Sequence, residues 1–89
     1  MKLTSLNDYV WKCMSDGRYW TFWELKDQIY KVTGNHYGEP SISAAIRNLS
    51  KRPARVKYGL PAFGEVYEKK LRTSGKGYKY KLIGEKNGR

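Results

Sequence analysis

The chain has 89 residues, 39% of them hydrophobic and 29% charged, and a formal net charge of +10. That length holds one small domain with a core of its own, and a single cysteine with a single histidine excludes both an intramolecular disulfide and a Cys/His zinc site. No apolar stretch follows Lys2 and no run of about 18 apolar residues occurs anywhere, so neither a signal peptide nor a membrane span is expected, and the reading is of a reduced, cytoplasmic protein without metal or cofactor.

Leu6, Val10 and Cys13 recur at helical spacing, with Leu3, Tyr9 and Met14 beside them. This predicts a first helix from Thr4 to Ser15, ended by Asp16-Gly17. Arg18-Tyr19-Trp20 is a short apolar-aromatic stretch, and Thr21 with Glu24 then matches a capping box, in which the threonine hydroxyl and the glutamate carboxylate each take one free N–H of the first turn. A second helix is therefore predicted from Phe22, with Phe22, Leu25, Ile29 and Val32 as its inner stripe and Gly34-Asn35 as its left-handed stop. After the turn His36–Glu39, Pro40 suits the start of a third helix that runs to Lys51 on Ile42, Ala45, Ile46 and Leu49 before Arg52-Pro53 stops it.

Pro53, Gly59, Pro61 and Gly64 punctuate the next segment, which reads as an ordered loop with at most a short strand. Val66–Leu71 and Tyr78–Ile83 are β-prone runs joined by the glycine-containing turn 72–77, a hairpin. Alternation along its second arm sends Tyr78, Tyr80 and Leu82 to the helix side and Lys79 and Lys81 outward. Residues 1–83 form the domain and 84–89 a flexible tail.

Charge and face then point to a partner. Residues 1–44 hold five Lys/Arg and five Asp/Glu, whereas residues 45–89 hold thirteen Lys/Arg and three Glu, so the whole excess lies in the second half. Such a one-sided excess is the footprint expected for a polyanion, nucleic acid before an acidic membrane. At about 100° per residue, Ser43, Ala44, Arg47, Asn48 and Lys51 point away from the apolar side of the third helix. Small residues there permit close approach to a groove, Arg47 can pair with guanine O6/N7, and Asn48 can pair with adenine N6/N7. Arg52, Arg55 and Lys57 extend the charge into the following segment, while Arg72, Thr73, Ser74 and Lys76 form a hairpin tip suited to phosphates or a minor groove.

Ser41-Ile-Ser-Ala-Ala-Ile46-Arg47-Asn48-Leu49, followed by Gly75-Lys76-Gly77-Tyr78-Lys79-Tyr80-Lys81-Leu82, resembles the winged helix-turn-helix family, in particular its small prokaryotic and phage-type members. The resemblance spans residues 4 to 83. It implies an α+β fold of three helices with a C-terminal β-hairpin wing, and a double-stranded DNA-binding regulator of transcription or recombination. The third helix would then lie in the major groove, with Ser41 among its contacts and the wing, Lys79 included, on the backbone. Ala44 and Ala45 stand where some relatives carry a further arginine, and the 53–64 segment is longer than the usual connection.

Trp11 lies away from the inner side of the first helix, and Trp23 and Tyr30, seven apart, share the outer side of the second. They form either a surface for homodimerisation or another protein, or a site that the N-terminal segment, Trp20 or the 53–64 segment covers. Tyr58, Tyr67, Tyr78 and Tyr80 among lysines open a further reading, stacking on single-stranded nucleic acid. No nucleophile–base pair or phosphate-binding glycine loop is visible, so catalysis is not expected.

Overall fold

Two capping boxes and two left-handed glycines set half of the helix ends. In the computed structural model, which describes residues 4–72 and 77–83, α1 spans Leu6–Met14, with Ser5 and Asp8 closing a capping box that the sequence reading did not recognise. The two-residue strand β1 (Trp20–Thr21) leads directly into α2 (Phe22–Thr33), where Thr21 and Glu24 make the expected box at 3.1 and 2.9 Å. Gly34 ends α2 at φ +79°, a conformation in which a Cβ would be strained. Helix α3 (Glu39–Asn48) begins one residue before Pro40, and the hairpin strands are β2 (Tyr67–Leu71) and β3 (Tyr78–Leu82).

The 53–64 segment departs from expectation. Its first half is a helix, α4 (Arg52–Tyr58), bounded by the residues that read as breakers. Pro53 falls in the first turn, where its missing N–H would have no partner anyway, and Gly59 at φ +67° closes the other end, with the Leu60 N–H bonded to the Arg55 carbonyl at 2.9 Å. A helix of two turns buries only Ala54 fully and shows almost no apolar periodicity, so the pattern concealed it.

All strand pairings are antiparallel, in the order β1-β3-β2, with Trp20 opposite Tyr80 and Glu68 opposite Lys81. The hairpin thus leans on β1, and through β1 on the start of α2. The core joins Val10 and Met14 of α1, Trp20 of β1, Leu25 and Ile29 of α2, Ile42, Ala45, Ile46 and Leu49 around α3, and Val66 and Leu82 of the hairpin. Val32, expected inside, is 56% exposed, because the last turn of α2 runs past the end of the core. Tyr78, at the start of β3 where β1 does not pair with it, is also exposed, while Tyr80 is half-buried and Leu82 buried. The expected tail and the hairpin-tip residues Thr73, Ser74 and Lys76 lie outside the described residues.

Arg55 holds the end of α3 to the segment after α4. Its Nε donates to the Ser50 carbonyl at 2.7 Å, Nη1 to Pro61 at 3.0 Å and Nη2 to Gly64 at 2.8 Å. Three of the five guanidinium donors are therefore engaged within the chain. Arg55→Ala is expected to lower stability by about 1–2 kcal/mol, since water replaces part of what the half-buried carbonyls lose. Urea denaturation with an unchanged m-value would check this.

Candidate nucleic-acid interface

Helix α3 is anchored by burying Ile42, Ala45, Ile46 and Leu49, which fixes what its other side presents. Ser41, Arg47 and Lys51 are exposed, and Ser43, Ala44 and Asn48 are half-buried. The half-buried residues mark where neighbours close in. On one flank, Asn48 and Lys51 line a cleft with Ser5 and Asn7 at the start of α1 and with Pro53, Lys57 and Tyr58 of α4. On the other, Glu39 at the start of α3 shares a cleft with Thr21, Phe22 and Trp23 and with Arg72, Gly77, Tyr78 and Tyr80 of the hairpin.

Tyr80 reports on that second junction. Burial above all, with Tyr67, Glu39 and Tyr78, pushes its hydroxyl pKa up, and Arg47 opposes them. Both Glu39 and Arg47 therefore lie within electrostatic reach of the inner face of β3. With the exposed α3 side chains, these two clefts, one at each end of the helix, make up the candidate tract. Its most exposed aromatic side chain is Trp23, 65% exposed and edge-on to Phe22 at 4.9 Å. The sequence grouped Trp23 with Tyr30, but Tyr30 instead stacks on His36 at 4.0 Å, a pairing across the α2–α3 turn that helical spacing alone does not reveal.

Several expected residues take other positions. Trp11, expected either on a partner surface or under a covering segment, is half-buried and stacks on Tyr58 of α4 at 4.9 Å and 10°, so the 53–64 segment covers it. Lys57 turns toward Asp8, Nζ to Oδ1 2.9 Å, and Arg55 is engaged as described, whereas Arg52 is exposed. Lys79 stands on the face of the sheet opposite Tyr78 and Tyr80. There it lies directly across from Lys70, a like-charge pair that would repel. The Tyr19 ring relieves this: the Nζ atoms of Lys79, Lys81 and Lys70 lie 4.8, 5.4 and 5.8 Å from its centroid, and its hydroxyl donates to Glu68 at 2.8 Å. Tyr19 had no sequence signal beyond its place in an aromatic stretch.

Asp8 was also missed. It is fully buried, and its Oδ2 accepts from the Thr4 N–H (2.9 Å), the Thr4 hydroxyl (3.3 Å) and the Ser5 N–H (3.1 Å), while Oδ1 accepts from the Tyr58 hydroxyl and Lys57. Burial pushes its pKa up, but the hydrogen bonds from Tyr58, Lys57, Thr4 and Ser5 outweigh that and hold the carboxyl well below the usual carboxylate range. Tyr58, desolvated and bonded to Asp8, is pushed up to about 12. This cluster fastens α4, and with it one flank of the tract, to α1.

Among the described residues no helix is long and apolar enough to cross a membrane, and no group of three or more His, Cys, Asp or Glu side chains is placed to hold a metal. No family model, curated protein or solved structure matches the chain.

Proposed function

We propose that the chain is a double-stranded DNA-binding protein of the winged helix-turn-helix type, acting as a small phage or bacterial regulator of transcription or recombination. One observation carries this reading: the exposed side of α3, with Arg47 and Lys51, continues into exposed Arg52 at the start of α4. The order of elements is compatible with it, since β1 between α1 and α2 pairs with the second arm of the hairpin and Glu39 at the start of α3 shares a cleft with the hairpin base. From residue 40 to residue 64 the chain has no Asp or Glu and five Lys/Arg. Arg47 is the base reader in this account, Ser41 and Ser43 allow close approach, and Lys51, Arg52 and Arg72 meet phosphates. The single-stranded reading loses part of its platform, because Tyr58 is stacked on Trp11 and its hydroxyl is bonded to Asp8.

Selection from a random duplex library supplies the preferred site, and Arg47→Ala tests the reader. The substitution should cost about 1–3 kcal/mol on that site and much less on random duplex, so that the specificity ratio falls roughly ten- to a hundredfold with stability unchanged. Equal binding of both duplexes by variant and parent would sink the assignment of α3.

A further inference from the structure

The outer side of α4 is unlike the side that faces α3. Opposite its buried Ala54 stands Val56, 77% exposed, and beside it Phe63 of the following loop is 90% exposed. With Leu60, Ala62, Arg52 and Arg55 they line one open hollow. An aromatic ring this exposed on a loose loop would mean little. Here the loop is held on both sides of Phe63 by the Arg55 guanidinium, which takes the carbonyls of Pro61 and Gly64, and α4 itself is pinned through Tyr58 and Lys57 to the buried Asp8. Both apolar side chains are therefore presented by backbone ordered before any partner arrives, which lowers the entropy cost of binding.

We infer that Val56 and Phe63 form a docking surface for another protein, and that its occupant is a short segment carrying an apolar anchor flanked by Asp or Glu. Charge selects that occupant. The rim is Arg52 and Arg55 and no acidic residue lines the hollow, the nearest acids in sequence being Glu65, two residues beyond Phe63, and Glu39 upstream. A second copy of the chain fits poorly, because a two-fold contact through this patch would set the arginines of one protomer against those of the other. Nucleic acid could use the Arg52 and Arg55 rim but would leave the apolar centre unused, since Val56 and Phe63 offer it neither a donor nor a positive charge. The surface lies apart from Arg47 and stands without the DNA-binding reading, with Arg52 on its rim as the one residue the two surfaces share.

Selecting a random dodecapeptide library on the full-length chain tests this. Peptides that combine Asp or Glu with an aromatic or aliphatic residue should enrich. Their binding should weaken about tenfold or more in Phe63→Ser and in Val56→Ser, as expected of central contact residues, and should be unaffected by Arg47→Ala. Because both side chains are exposed, neither substitution should shift the melting temperature by more than about 3 °C. Three results would overturn the inference. One is that no acidic-apolar peptide enriches, or that those enriched ignore Phe63→Ser. Another is a dimer in sedimentation that Phe63→Ser separates, which makes the occupant a second copy. The third is loss of duplex affinity in Phe63→Ser as large as that of Arg47→Ala, which makes it nucleic acid.

Discussion

Asp8→Ala is expected to lower the unfolding free energy by about 2–4 kcal/mol, a large share of the roughly 4–12 kcal/mol available to a domain of this size. The loss comes from partners left behind. The N–H groups of Thr4 and Ser5 and the hydroxyl of Tyr58 lose a buried acceptor, whereas half-exposed Lys57 can turn to water. The same carboxylate gives stability a pH dependence whose sign is determined. Its folded-state pKa is depressed, so the native state binds a proton less readily than the unfolded chain, and the contribution is complete above the unfolded value of about 3.9 and lost as pH falls below it. At the alkaline end the sign reverses for Tyr58. Its pKa is raised to about 12, so its contribution is present below the ordinary tyrosine value of about 10 and lost as pH rises from there toward 12. Urea midpoints measured from pH 2 to 7 should fall steeply below pH 4 in the parent and less steeply in Asp8→Asn. Some slope should remain, because Asp16 is also held low: burial is outweighed by hydrogen bonds from the Arg18 backbone, the Trp20 indole and the Arg18 side chain. Identical acid profiles for parent and variant would show that the cluster does not couple α4 to α1.

Duplex affinity is expected to fall along a log–log salt slope of about −4 to −7, which corresponds to roughly 5 to 8 phosphates neutralised. Between 50 and 200 mM salt that amounts to a loss of roughly a few hundred- to ten thousand-fold. The expectation follows from thirteen Lys/Arg against three Glu in residues 45–89, together with exposed Arg47, Lys51 and Arg52 on neighbouring elements. A slope near zero would remove the polyanion reading altogether. Two substitutions locate the contact: Arg52→Ala should lower the slope by about one unit without selecting among sequences, because it neutralises one phosphate and reads no base. Lys79→Ala should leave it unchanged if the duplex lies on the α3 side alone, since Lys79 sits with Tyr19 on the opposite face of the sheet. A fall in both variants would mean that the duplex also reaches that face.

What could be read without coordinates was whatever one stretch of chain decides by itself. Thr21 and Glu24 cap α2 because their partners are the backbone groups of its own first turn, and Gly34 ends it because only local sterics are involved. Ile42, Ala45, Ile46 and Leu49 could be assigned to the core because their spacing matches one side of a helix, and Arg47 and Lys51 to the outside for the same reason. What the sequence did not disclose involved partners far along the chain. Nothing near Asp8 in the chain marks it as buried, because its hydroxyl partner, Tyr58, lies 50 residues away. Trp11 was correctly placed off the inner stripe of α1, yet its cover comes from α4, a helix too short to show periodicity. Lys79 was correctly sent outward by alternation, but which elements share that outward face depends on β1 pairing with β3, and two residues of strand leave no pattern to detect. Sequence alone therefore determined the main helices, the hairpin and the placement of positive charge, because capping, periodicity and composition act over neighbouring residues. Tertiary structure decided which cations remain exposed and which are taken up, because Arg55 and Lys57 are claimed by carbonyls and a carboxylate that only folding brings within 3.0 Å.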